Sequence, residues 1–230
     1  MVIYFRIILS GFLAVMFITA KSQVVTDSTA KRQKQLTYAL GMKYNDLAIT
    51  KSSLYDLIAM EPQNDSLLFN LAFLYFDVQQ YASSVLVCID VLARDPDNLG
   101  ALEISALAYG NLGLKDRSLE NYEKIYRQNI NDANVLYKMA FLQYDLKRFN
   151  ESKINVEILL NNSKIDELKQ VFTFDEVEQK EFVMRVPILN LKGLVYKELG
   201  DIETAKSSFE EALTLAPDFK LAKENLDALN

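Results

Sequence analysis

Residues 186–219 read VPILNLKGLVYKELGDIETAKSSFEEALTLAPDF. The stretch divides at Leu199-Gly200-Asp201. Ahead of that point Leu189, Gly193 and Tyr196 recur at spacings of four and three, which puts them on one face of a helix. Behind it Ala205, Phe209 and Ala212 repeat the same spacings, and Pro217 stops the run. Gly200 suits the left-handed residue that closes a helix. Gly193 is small where a second helix must come close. The reading is a helical hairpin: two helices, a tight turn and one shared apolar seam.

The hairpin recurs. Rows of 34 residues align Leu68, Leu102 and Leu136, then Ala72, Ala106 and Ala140. The same offset aligns Ser84, Ser118 and Ser152, and also Val91, Ile125 and Leu159. A step of 53 from the third row reaches Leu189, Gly193, Ala205 and Ala212, so the fourth row is displaced by a 19-residue insertion. Backwards by 34 from Pro96 lies Pro62, and Thr50, Leu54 and Leu57 fit the second helix of a first unit. Its first helix departs from the pattern, with Lys34, Tyr38 and Gly41 where Leu, a small residue and Tyr are expected. A single hairpin cannot bury its apolar face alone, so the units must stack.

These positions together resemble the tetratricopeptide repeat family, most closely in Val186–Phe219 and next in Asp65–Asn98. The resemblance covers about residues 31–219 and implies an all-α fold, a right-handed α-solenoid of helical hairpins with a C-terminal capping helix. The expected organisation is a signal peptide at 1–22, a flexible N-terminus at 23–30 and a degenerate repeat at 31–64. Repeats follow at 65–98, 99–132 and 133–162, then an insertion at 163–185, a last repeat at 186–219 and the cap at 220–230. In the cap, Leu221, Leu226 and Leu229 are placed to pack inward.

In that family the first helices of successive hairpins line a concave groove that holds protein segments. Carried over position by position, the resemblance implies a groove presenting Phe69, Phe73, Phe76 and Asp77. Glu103, Leu107 and Asn111 follow, then Asn134, Tyr137, Phe141, Tyr144 and Asp145, and finally Asn190, Leu194 and Lys197. The Lys/Asn set with which some members clamp a terminal carboxylate is missing. Two aromatic stripes remain, Phe69–Phe73–Phe76 and Tyr137–Phe141–Tyr144, each along one helix face. The other reading of these rings is packing against the neighbouring hairpin. The expected function is a protein-binding scaffold, with a subunit of an outer-membrane assembly or secretion machine as the alternative.

Composition narrows the chemistry. There is no His, which removes Ser–His and Cys–His relays and imidazole metal ligands. Cys88 is the only cysteine and falls at an inward repeat position shared with Tyr122, Val156 and Phe209, so it reads as a core residue. Glycine-rich phosphate loops are absent, and Gly110-Asn-Leu-Gly113 is a helix end. The carboxylates Asp166, Glu167, Asp175, Glu176 and Glu178 cluster in the insertion, where a carboxylate- or metal-dependent hydrolase is the minor reading beside a solvated acidic face. No enzyme, cofactor or metal is expected. The acceptor patterns at Asn64, Asn150 and Asn161 read as chance in an Asn-rich chain.

The leader is apolar from Ile7 to Ala20, with Arg6 before it and Ala20-Lys21-Ser22 after it. Fourteen helical residues rise about 21 Å, short of the roughly 30 Å of a bilayer core. A signal peptide cleaved before Gln23 is expected, placing the chain in the periplasm or outside the cell, with an uncleaved anchor as the alternative. Without residues 1–22 the chain has 23 basic against 31 acidic residues, a balance that opposes nucleic-acid binding. No membrane span is expected in the remainder. In the insertion, Ile165–Leu168 reads as one helical turn, Val171–Phe174 as extended, and Thr173 with Glu176 as the capping box of a new helix.

Overall fold

The structure is a computed structural model that describes residues 27–174 and 178–229. The leader therefore lies outside the described residues. The chain divides into two compact units, Met1–Gln79 and Gln80–Asn230, each taken by itself below. The boundary falls inside the repeat expected at 65–98.

The first unit holds α1 (27–43), α2 (Leu47–Met60) and α3 (Asp65–Asp77). Residues 27–30, expected to be flexible, are helical. They continue into a helix that lies beside the end of α2, where the Lys31 ammonium pairs with the Glu61 carboxylate. The irregular first helix of the degenerate unit also finds its explanation. A Cβ on Gly41 would stand 2.5 Å from Oγ1 of Thr50 and 2.8 Å from its backbone nitrogen. Gly41 is thus the small residue that lets α1 approach α2, three positions later than the repeat pattern places it. Leu54 and Leu57 of α2 are buried, as the seam requires.

The second unit runs α4 (Tyr81–Arg94), α5 (Leu99–Asn111), α6 (Lys115–Gln128), α7 (Ala133–Asp145), α8 (Phe149–Leu160), α9 (Arg185–Glu198), α10 (Ile202–Leu215) and α11 (Lys220–Asp227). Each of these helices packs on the next in chain order, and α7 also meets α9. Stacking thus continues across the insertion. The aligned small residues and serines now have a shared role. Ser118 Oγ donates to the Ala106 carbonyl at 2.8 Å, and Ser152 Oγ donates to the Ala140 carbonyl at 2.7 Å. Each buried hydroxyl finds an acceptor across its hairpin, which avoids the cost of an orphaned polar group. In the last hairpin Gly193 faces Phe209 instead, and the ring fills the space.

One backbone feature repeats through both units. Asn45, Gln79, Gly113, Lys147 and Gly200 all adopt the left-handed conformation, with φ between 53° and 85°. They stand at the 34-residue period, with the 53-residue step before the last. After each of four of them the next amide reaches back five residues: Asp46 N to Gly41 O, Leu114 N to Tyr109 O, Arg148 N to Gln143 O and Asp201 N to Tyr196 O, all between 2.8 and 2.9 Å. This bond closes the first helix of each hairpin. Lys147 is exposed, and a Cβ in this conformation costs about 1 kcal/mol. Lys147→Gly is expected to stabilise the protein by roughly 0.5 kcal/mol, because glycine's greater freedom in the unfolded chain offsets part of the gain. A thermal melt tests this, and a lower Tm would contradict the assignment.

The insertion corrects one expectation. Its 3₁₀ turn (Ile165–Glu167) is present, but no helix starts at Thr173. Instead β1 (Lys169–Phe174) and β2 (Glu178–Val183) form an antiparallel hairpin, with Phe172 opposite Lys180 and Gln170 opposite Phe182. Alternation wins over the capping box. Phe172 and Phe182 point to one face and meet buried Phe219, with ring centroids 5.2 and 4.9 Å from it in edge-on geometry. Val171 and Thr173 point the other way and are exposed. Ile165 and Met184, at the two ends of the insertion, are fully buried among α7, α8 and α9. Arg185 fixes the return with a two-bond contact to Asp166 at 2.6 and 2.9 Å. Pro187 sits in the first turn of α9, where its missing N–H has no partner to lose.

The cap differs in detail. Ala222 and Phe219 are its buried residues, Leu226 and Leu229 are half-buried, and Leu221 is exposed. With Ala222 facing inward, its neighbour Leu221 lies about 100° away around the helix and turns outward.

Candidate functional site

In the first unit, the Phe69–Phe73–Phe76 stripe of α3 is unevenly exposed. Phe73 is 52 % exposed, and Phe69 and Phe76 are half-buried.

In the second unit, α5 and α7 flank a cleft of about 330 Å³ floored by α6. Leu107 of α5 and Tyr137 and Phe141 of α7, all marked by the sequence, line it together with Leu142. Phe141 is 44 % exposed, a large value for a phenylalanine in an ordered helix. The cleft opens where α5 offers small groups, Ala106 and Gly110, four apart on one face between Leu107 and Asn111. Ser118 and Tyr122 of α6 form the floor.

Its electrostatics are muted. Burial pushes the Tyr137 phenol up from its ordinary value. Burial pushes up the Tyr122 phenol too, helped by the nearby Glu103 carboxylate. Neither ring ionises near neutral pH. Lys138 closes one side, with its ammonium 5.2 Å from the Tyr122 ring centre and 3.6 Å from a Glu103 carboxylate oxygen. The cleft is a neutral apolar surface with one paired cation at its rim.

Several positions implied by the resemblance are otherwise engaged. Tyr144 packs on Phe149 with ring centroids 5.8 Å apart, and with Tyr137 it leans on the core shared by α7, α8 and α9. Asp145 pairs with Lys115 at 2.6 Å. Asn190 is buried, and its Oδ1 accepts from Nδ2 of Asn225 in α11 at 2.8 Å. Its carboxamide is committed to the cap and not to an open groove. Leu194 is half-buried, and Glu103 and Asn134 are exposed. Sequence reading missed Tyr122, Lys138 and Leu142 as cleft residues. Tyr122 occupies a repeat position that is core in the other units too; it is itself buried and reaches the cleft only as its floor, beside the small pair Ala106 and Gly110.

Chemistry-bearing side chains are elsewhere satisfied. Cys88 is fully buried, and its thiol is pushed up to about 12 by that burial. The Arg185 guanidinium holds the Asp166 carboxyl below its ordinary range. Asp175 and Glu176 lie outside the described residues. Among the described residues no group of three or more His, Cys, Asp or Glu side chains could hold a metal ion. Among them, too, no helix is long and apolar enough to cross a membrane.

Comparison with known proteins agrees with this architecture. The tetratricopeptide repeat family model matches residues 186–219. A crystal structure of a tetratricopeptide repeat protein from Parabacteroides merdae superposes with a TM-score of 0.67 at 18 % identity, covering 87 % of this chain and 72 % of that one. A crystal structure of MamA protein gives 0.62 at 13 % identity, covering 80 % and 90 %. MamA from Desulfovibrio magneticus RS-1 gives 0.63 at 11 % identity, covering 82 % and 96 %. No curated protein matches the sequence. Residues 186–219 thus match the tetratricopeptide repeat, and the chain shares the helical solenoid fold of tetratricopeptide repeat proteins.

Proposed function

We propose that the protein is a non-catalytic adaptor of the cell envelope that holds an apolar segment of another protein in the cleft between α5 and α7. A repeat scaffold of this kind exists to present surface, and its protein-interaction role follows from its architecture. The observation that carries the finer reading is the exposed ring of Phe141 beside Leu107, in an uncharged cleft large enough for one or two side chains. Exposed rings over well-packed floors are where binding energy concentrates. Export rests on the leader at residues 1–22 and its small–x–small end at Ala20-Lys21-Ser22.

The test is a photo-crosslinking residue at position 141, with one at Leu86 of α4 as an exposed control. Position 141 is expected to capture one defined protein in native cells, and position 86 is not. With that protein purified, Phe141→Ser together with Leu107→Ser is expected to weaken binding about thirtyfold, equivalent to about 2 kcal/mol. Unchanged affinity with an intact helical spectrum would refute the cleft as the docking surface. Amino-terminal sequencing of the native protein tests export, with Gln23 as the expected first residue.

A further inference from the structure

Every later first helix has a preceding helix packed on it: α3 has α2, α5 has α4, α7 has α6 and α9 has α8. The first described helix, α1, carries an outward apolar stripe that is exposed. Leu36 is 57 % exposed and Leu40 is 52 % exposed, one helical turn apart. Arg32 and Lys43 stand at the two ends of the same stripe, both exposed. The other two cations of the helix are already paired, Lys31 with Glu61 and Lys34 with Asp56. Residues 27–43 hold one acid against four bases in a chain that is acidic as a whole.

The end of the chain has the opposite character. Residues 201–229 hold seven acids against three bases. Leu215 of α10 and Leu221 of α11 are exposed there, and so are Glu210, Glu211, Glu224 and Asp227. An apolar stripe flanked by cations therefore has, on the same chain, two exposed leucines that each carry a carboxylate about one helical turn away, Glu211 beside Leu215 and Glu224 beside Leu221. Contacts between two different patches of one chain are heterologous and propagate from copy to copy.

We propose that the α1 stripe docks on the α10–α11 surface of a second copy of this chain, so that copies join head to tail. The surface shares no residue with the cleft between α5 and α7, and the two are testable separately. Complementary charge sets the orientation, and the leucines supply the desolvated centre.

Sedimentation equilibrium of the full chain is expected to give an average mass that rises with concentration beyond that of one copy. The mass is expected to fall back at about 0.5 M salt, where screening reaches only a few ångströms. Leu36→Ser with Leu40→Ser breaks the head, and Leu215→Ser with Leu221→Ser breaks the tail. All four side chains are exposed, so each variant is expected to keep its helical spectrum and to weaken association at least about tenfold. An equimolar mixture of the two variants retains one good head and one good tail, and is expected to form two-copy complexes and nothing larger. A monomeric wild type, variants that associate like wild type, or a mixture that stays monomeric would each overturn the proposal.

Discussion

Gly193→Ala is expected to destabilise the protein by about 2 kcal/mol, although alanine is the better helix former by about 1 kcal/mol. The added Cβ would lie 2.3 Å from Cε1 of Phe209 and 2.6 Å from Cδ1 and Cζ. Real carbons do not approach so closely, so either the ring or the helix must move. Phe209 is fully buried, and a ring has no flexible end that can swing aside. The strain must therefore spread through the α9–α10 seam, where overpacking typically costs 1–3 kcal/mol and more when the site cannot relax. Gly110→Ala is the control. Its Cβ would meet only Ser118 Oγ at 3.7 Å, an ordinary contact, so there the helix preference is expected to win and raise the Tm. Adding Phe209→Leu to Gly193→Ala is expected to recover part of the loss. Equal rises in Tm for both glycine variants would show that the close approach does not constrain the hairpin.

Phe219→Ala is expected to cost about 4 kcal/mol, within the range for a large aromatic removed from a full core. The ring is fully buried and is the meeting point of Phe172 and Phe182 from the insertion with Ala222 of the cap. Truncation removes its own contacts and also both edge-on ring pairs, each worth about 1 kcal/mol beyond burial. The loss has a location as well as a size. Amides of β1, β2 and α11 are expected to exchange faster, whereas α5 and α6 keep their protection, because a repeat array transmits strain mainly to neighbours. Chemical denaturation gives the first result and hydrogen exchange the second. Uniform loss of protection along the chain would contradict the local role assigned to Phe219.

The sequence carries most of this fold because a repeat states its rule several times. Gly113 and Gly200 mark hairpin turns on sight, and the structure gives both a positive φ. Gln79, Lys147 and Asn45 adopt the same conformation without glycine, and only their period exposes them. Single-copy features were harder. The hairpin of the insertion has no second example among the described residues, and Thr173 with Glu176 offered a plausible helix start. What decided against it was the distant Phe219, which rewards an aromatic side chain from each strand on one face of the hairpin. Gly41 stood off the pattern by three residues, and contact with Thr50 was needed to show its purpose. The cleft was half legible. Leu107, Tyr137 and Phe141 were marked in advance, but the place of buried Tyr122 in the cleft floor depends on the lack of bulk at Ala106 and Gly110. Asn190 fits the groove pattern by position, and only the cap's Asn225 shows where it is spent.

The buried ends of the insertion limit how this array can be rearranged. Ile165 and Met184 are wedged among α7, α8 and α9, while Phe182 belongs to the cluster around Phe219. Excising residues 163–185 to regularise the period would strip side chains from two separate cores and leave each with a void. Hairpins built on a regular period can be duplicated or lost one at a time. From Ile165 to the C-terminal cap, however, the chain can be exchanged between relatives only as a single cassette.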